Sequence, residues 1–203
     1  MRQNLERRAA LIDAAIEVLA REGARGLTFR AIDAEAGCPI GTASNYFANR
    51  DDLFNQVGGR IYERYQPDEA TITRNLAGPR TRERLTEVMR TTVENVAAFR
   101  SGYLALLELR LEATRRPELR EVLTRTIRRD VQANVSHHRD SGLPGDETTV
   151  VLLHLALNWL IVERLTLPDV FTEKEIDALV AAAVERALPR EPSREPDPTL
   201  DLR

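Results

Sequence analysis

Apolar residues recur every three or four positions along almost the whole chain, which is the period of an α-helix with one buried side. Leu5, Ala9, Ile12, Ile16 and Leu19 form the first stripe. It predicts a helix that stops at Gly23, because glycine takes the left-handed conformation that closes helices at little steric cost. Thr28 offers an N-cap hydroxyl to a short helix that buries Phe29, Ile32 and Ala36 and stops at Gly37. A third, shorter helix is expected to follow Pro39 and run to Tyr46. Asn49 with Asp52 three residues later resembles a capping box, with a carboxylate in the Glu/Gln role. The helix it opens carries Leu53, Phe54, Val57, Ile61 and Tyr65, with Pro67 as its stop.

After Gly78-Pro79 the periodic segments lengthen. Leu85, Val88, Met89, Val93, Val96 and Phe99 make one stripe, and residues 103–111 are nearly continuous leucine, the mark of a helix buried on several sides. Pro117 restarts the chain, and Leu119, Val122, Leu123, Ile127, Val131 and Val135 lead to a Gly/Pro loop over residues 141–145. Residues 150–167 are apolar all round. Thr172 with Glu175 is another capping box, opening a helix of Ile176, Leu179, Val180, Ala183, Val184 and Leu188. No segment alternates with period two, so no sheet is expected. The fold class is all-α with about nine helices. Residues 1–50 form a compact group of short helices, residues 49–66 link it onward, and residues 67–188 form a bundle of long helices. The proline-rich tail over 189–203 is expected to lack fixed structure.

Composition narrows the function classes. Of 203 residues, 42% are hydrophobic and 30% charged, a globular balance that excludes wholesale disorder. The single cysteine, Cys38, excludes an internal disulfide and Cys-rich zinc modules, and it fits a reducing cytoplasm. No signal-peptide pattern opens the chain. The uncharged run over residues 148–162 is shorter than the ~20 residues a membrane span needs, so it is expected to be a buried helix. Net charge is −3, and residues 1–50 carry seven arginines against six acids, so electrostatics alone selects no nucleic acid.

The chemistry lies between Thr28 and Phe47. Two short helices meeting at Gly37, with a third before them, make a helix-turn-helix arrangement, in which the second helix of the pair enters a major groove. The segment Ile40-Gly-Thr-Ala-Ser-Asn45 is small and polar, poor for a core but slim enough for a groove ~12 Å wide. Gly41 allows close backbone approach to phosphate. Thr42 and Ser44 carry hydroxyls for phosphates or base edges, Asn45 can pair with adenine, Tyr46 places a hydroxyl at phosphate height, and Phe47 anchors the segment. An ordinary helical hairpin has the same spacing.

The stretch TFRAIDAEAGCPIGTASNYFANRDDL closely resembles the DNA-binding segment of TetR-family transcriptional regulators. The resemblance rests on Thr-x-x-x-Ile, Ala36-Gly37, Gly41-Thr42, Tyr46-Phe47 and Arg50-Asp51-Asp52 followed by Leu53, and it covers residues 5–65. The stretch ELRLEATRRPELREVL resembles, more weakly, the regulatory domain of some members. The resemblance implies a cytoplasmic homodimer, a repressor released from a palindromic double-stranded DNA operator by a small-molecule effector. It implies that Thr28 and Arg30 contact phosphates, that Ile40, Thr42, Ser44 and Asn45 face the groove, and that Tyr46 and Arg50 hold backbone phosphates. Two features depart from the pattern. Pro39 stands where members often have a capping Ser or Thr, and Gly58-Gly59 interrupts the linking helix.

Met89, Phe99, Tyr103, Leu107, Asn158 and Trp159 are candidates for an effector pocket, with plain core as the bland reading of each. Leu153, Leu157, Leu160, Ile161, Leu179, Ala183 and Val184 are candidates for a dimer face of two helices from each subunit. Adjacent His137-His138 cannot share one helical face and are expected to be exposed, so no metal site is expected, and no cofactor is implied. Cys38 is expected to be a small buried apolar residue. Gly58-Gly59 suits tight helix packing better than a hinge. An all-α enzyme lacks a nucleophile–base pair, a phosphate loop or a carboxylate–His pattern. A helical adaptor without DNA binding stays open at this point.

Overall fold

The computed structural model describes residues 2–66 and 69–189. Among these the chain forms nine α-helices and one 3-10 turn, with no strand: α1 (Arg2–Gly26), α2 (Phe29–Glu35), the 3-10 turn (Ala43–Asn45), α3 (Arg50–Tyr65), α4 (Glu69–Leu76), α5 (Arg82–Ala98), α6 (Arg100–Ala113), α7 (Pro117–Ser141), α8 (Glu147–Thr166) and α9 (Glu173–Ala187). The all-α class follows from the periodicity. Two elements differ from expectation. The short helix over residues 39–46 is a turn ending in a single 3-10 turn, and α4 adds a helix ahead of Gly78-Pro79 where the sequence pattern predicts none. Pro67 and the tail from residue 190 lie outside the described residues.

The caps explain most boundaries. Thr28 Oγ1 accepts the Ala31 N–H at 3.1 Å and starts α2. Asn49 accepts the Asp52 N–H at 2.8 Å, while the Asp52 carboxylate reaches back to the Ala48 N–H rather than to that of Asn49. Thr172 and Glu175 form the expected reciprocal box, and Asp146 with Thr149 forms a second one at the start of α8. Gly23 leaves helical geometry at φ 68°, ψ −177°, kinking α1 so that one further turn follows. The Glu108 carboxylate of α6 accepts the Ala24 N–H freed by that kink, at 3.0 Å.

One hydrophobic core unites the two halves of the chain. Leu11, Ile16, Leu19, Ile32, Phe47, Leu53, Phe54 and Ile61 are joined by Leu109, Leu119 and Leu123 from α6 and α7. The packing of α1 on α6 is the most extensive between any two elements. Residues 1–50 therefore rest on the bundle rather than hang from a free linker. A second cluster holds Val93, Tyr103, Leu157, Leu160, Ile161, Ile176 and Val180, and a third holds Leu85, Leu143, Leu153 and Val184.

The apolar helix α8 is only partly enclosed. By length and composition it could cross a membrane, and only a third of its most apolar stretch is buried within the subunit. Leu153, Leu157, Leu160 and Ile161 face the interior of their own subunit. Leu152, Leu155 and Trp159 stand on the other side at 48%, 62% and 65% exposure. The expectation of a wholly buried helix over 148–162 is thus corrected: one stripe is core and the opposite stripe is bare.

Candidate nucleic-acid interface

The segment over residues 40–46 is held by a buried carboxylate from the preceding helix. Asp33 is 1% exposed, and its two oxygens accept the Gly41 N–H and the Ala43 N–H, both at 2.7 Å. It replaces the cap that Pro39 cannot supply, and the charge stabilises the N–H groups that open the turn. Gly41 has φ +94°, a conformation that side-chain-bearing residues rarely adopt. A left-handed residue at this point prevents a helix from running through it, which is why the expected helix becomes a turn. Sequence reasoning passed over Asp33. Its signal was present: with Phe29, Ile32 and Ala36 it occupies the i, i+4, i+3 and i+7 positions of one buried stripe, and a carboxylate in such a stripe needs partners.

Behind the turn, Ala43 and Phe47 are buried and anchor it, and Phe29 stacks on Phe47 at 6.3 Å between ring centroids. Arg8 of α1 donates to the Tyr46 carbonyl at 2.9 Å and to Gln56 of α3 at 2.9 Å, tying the end of the turn to both neighbours. Arg8 is a second positioning residue that the motif did not point to.

The predicted contact residues divide into three groups. Thr28, Arg30, Ile40, Ser44 and Asn45 are exposed, and Ile40, at 76%, is a large apolar side chain displayed to solvent. Gly41, Thr42 and Tyr46 are half-buried. The Thr42 hydroxyl donates to the Pro39 carbonyl at 2.6 Å and the Ser44 hydroxyl to the Gly41 carbonyl at 2.8 Å. Their protons are thus used within the turn, leaving oxygen lone pairs outward. Arg50 forms the third group and is a correction. Its guanidinium donates to the Ala24 carbonyl and lies 5.2 Å from the Phe54 ring centroid, so it braces α1 against α3 instead of projecting outward. Cys38 is half-buried, with its thiol 3.6 Å from the Ala36 carbonyl.

The six pocket candidates come together only in part. Tyr103, Met89 and Leu107 pack in the second cluster, whereas Phe99 packs against the first, 5.6 Å from the Tyr65 ring. Trp159 is on the bare side of α8. Asn158 is satisfied internally: its carbonyl oxygen accepts the Tyr103 hydroxyl at 3.1 Å and its amide donates to the His154 carbonyl at 2.6 Å. Around it lies a half-buried polar cluster. Burial pushes the Tyr62 and Tyr103 hydroxyls up to about 12, against the pull of Arg110. Burial also raises Asp130 and lowers His154, each moderated by the other's charge. The dimer candidates divide as well. Leu153, Leu157, Leu160, Ile161 and Val184 are core of one subunit, because packing within the subunit already covers them. Leu179 is 40% exposed and Ala183 half-buried. His137 and His138 are half-buried rather than exposed, and burial lowers the His138 pKa. Among the described residues no group of three or more His, Cys, Asp or Glu could hold a metal ion.

A slim turn displayed beside the short α2 and backed by the long α1, mounted on an all-helical bundle, is the architecture of helix-turn-helix regulators. Residues 11–57 match the family described as bacterial regulatory proteins, tetR family. Residues 80–190, more than half of the chain, match the tetracyclin repressor-like C-terminal domain. The chain belongs to the TetR family. It is 26% identical over 133 residues to the HTH-type transcriptional regulator BetI of Agrobacterium fabrum, and the match spans 64% of each protein. A TetR-family transcriptional regulator of Mesorhizobium loti superposes with a TM-score of 0.73 at 17% identity, over 91% of this chain and 96% of that one, a likeness of fold. The multidrug binding protein EbrR, solved with ethidium, superposes with a TM-score of 0.63 at 26% identity, over 91% of this chain and 99% of that one.

Proposed function

We propose that this chain is a ligand-responsive, sequence-specific transcriptional regulator, a repressor that leaves a palindromic operator when a small-molecule effector binds. The observation that carries the reading is the exposed turn over residues 40–46, seated on Asp33 inside the stretch that matches the tetR family. Ile40 suits a thymine methyl and Asn45 an adenine edge, while Thr28, Arg30 and Tyr46 suit phosphates. Two copies with their turns ~34 Å apart would enter successive major grooves. The bare stripe of α8, with Leu179 and Ala183 of α9, supports pairing of two subunits through four helices, since an apolar patch of this kind marks an interface. Residues 1–50 act as the DNA-binding part and residues 67–188 as the regulatory and dimerising part, working in the cytoplasm.

An effector acts only through its differential affinity for two conformers. The route to the turn is short. Glu108 of α6 holds the kink of α1, Ser101 of α6 donates to Glu17 at 2.6 Å, and Arg116, the residue before α7, pairs with Asp51 of α3 at 2.7 Å. A shift of α6 or α7 is therefore felt at the head. EbrR with ethidium supports a small-molecule effector for this chain. The test is a gel shift with DNA upstream of the gene. Binding by the wild-type chain, with an altered binding logo for Asn45→Ala and a uniform loss of affinity for Tyr46→Phe, is the expected result. No shift with any duplex overturns the reading.

A further inference from the structure

Helix α7 presents two parallel rows toward α6. Leu123, Ile127 and Val131 form one, and Arg120, Thr124 and Arg128 form the other, each at i, i+4, i+8 spacing. With Arg110 and Ala113 of α6 and with Gln132 they line an open groove of about 500 Å³. That volume lies in the range of small-molecule sites, ~300–1,000 Å³. The apolar row runs ~12 Å along the helix.

The charge at the rim is uncompensated. Neighbouring arginines are neutralised: Arg115 and Arg116 pair with Glu112, and Arg125 pairs with Glu121. Among the described residues no ion pair engages Arg110, Arg120 or Arg128. Arg110 lies against the Tyr62 hydroxyl, a neutral partner. Three guanidinium groups with no carboxylate partner, in a chain of net charge −3, are not a general excess of positive charge. They sit along an apolar floor, and guanidinium forks bind carboxylates in bidentate fashion.

We propose that this groove is a binding site for a free amphipathic carboxylate, with an elongated apolar body on the Leu123–Ile127–Val131 row and its head group on the arginine rim. The site differs from the six core residues singled out for an effector. Its floor also touches the linking helix: Leu123 Cδ2 lies 3.4 Å from where a Cβ on Gly58 would stand.

The experiment is calorimetric titration of the full, DNA-free chain with dodecanoate below its micelle concentration, beside dodecanol and acetate. It proceeds without DNA, so its failure leaves the DNA-binding reading untouched. Dodecanoate should bind, and dodecanol and acetate should bind at least about tenfold more weakly, because the site needs both the tail and the charge. The double variant Arg120→Gln/Arg128→Gln, at two exposed positions, should lose at least about tenfold in dodecanoate affinity. Val131→Trp, which fills the groove and keeps every charge, should lose as much, with helicity checked by circular dichroism. Equal binding of dodecanol, unchanged affinity in the arginine variant, or no heat with dodecanoate overturns the proposal. So does binding only to phosphatidylglycerol vesicles, which would make the rim a membrane contact.

Discussion

The turn over residues 40–46 and the outer stripe of α8 are both exposed, and they are built in opposite ways. The turn is small, polar and local in origin. Its shape is set by one carboxylate, one left-handed glycine and two buried anchors. The stripe of α8 is large and apolar, and no local device shapes it. It is the far side of a regular helix whose near side is core. A polar surface that must fit a groove needs its geometry fixed in advance. An apolar surface that pairs with a copy of itself needs only area and a rigid backing. The first should therefore fail when a buried hydrogen bond is lost, and the second only when charge is placed on it.

The largest effect is expected at α8. Leu155→Asp with Trp159→Asp puts two carboxylates in the proposed dimer face. Dimer affinity should fall by about a thousandfold or more, ~4 kcal/mol. Sedimentation velocity at micromolar concentration would then show a monomer, and subunit helicity should be unchanged because both side chains are exposed. A dimer that persists removes this face as the interface. Leu157→Ala, one turn inward, should instead cost the subunit ~2–5 kcal/mol of stability through a cavity.

At the turn, Asp33→Ala should cost ~2–6 kcal/mol in urea unfolding, since two N–H groups lose their acceptor at ~1–3 kcal/mol each. Operator binding should disappear in the same protein. Asp33→Asn keeps one acceptor and should fall between. A loss below ~1 kcal/mol for Asp33→Ala would mean that water takes over the N–H groups and that the turn does not depend on Asp33.

Nearly all of the helical framework was legible, because period, caps and glycine stops are local signals: Thr28, Asn49, Thr172 and Gly37 act where their residue types said they would. The surfaces were half legible. The exposed residues proposed to contact DNA lie within one continuous motif, so their neighbourhood could be read from the order of residues. Arg50 departs from expectation because its acceptor, the Ala24 carbonyl in the last turn of α1, lies 26 residues away in sequence. The all-apolar run of α8 hid which stripe is buried, since periodicity carries no information when every position is apolar. Leu153, Leu157, Leu160 and Ile161 face inward, where they share core clusters with Leu85 and Val93 of α5, Tyr103 of α6 and Ile176, Val180 and Val184 of α9. The groove between α6 and α7 was illegible because an arginine lacking a partner looks the same in sequence as one that is paired.

The half-buried histidines give a smaller, graded test of the regulatory half alone. Burial lowers both His138 and His154 below the ordinary value of 6.5, so the fold prefers them neutral while the unfolded chain binds the proton. The stability this represents is complete above that value and is lost as pH falls through it. Asp130 acts with the opposite sign, because its raised pKa favours the folded state as pH falls toward the carboxylate range. Urea midpoints should therefore drop between pH 7.5 and 5.5, and His154→Gln should flatten the slope. A flat profile in the wild-type chain would mean that both imidazoles reach water.

The smallest effect separates packing from hinge at the helix joining the two surfaces. A Cβ on Gly58 would meet Leu123 Cδ2 at 3.4 Å, whereas one on Gly59 would meet nothing within 4 Å. Gly58 is therefore small because α7 packs on it. Gly59 contributes no packing and carries only the helix penalty of glycine. Gly59→Ala should stabilise the chain by ~0.5–1 kcal/mol, seen as a rise in Tm. Gly58→Ala has the same helix gain but brings its Cβ into the tightest ordinary contact with Leu123 Cδ2, so its gain should be the smaller of the two. If α3 bends at this pair to pass the effector signal to the turn, Gly59→Ala should also weaken effector-driven release of DNA, because stiffening one conformer changes the gap between the two. A stabilised Gly59→Ala protein with unaltered release would leave packing at Gly58 as the reason for a glycine there. It would also place the signal in the rigid contacts of α6 and α7, through Glu108 and Arg116, rather than in any bending of α3.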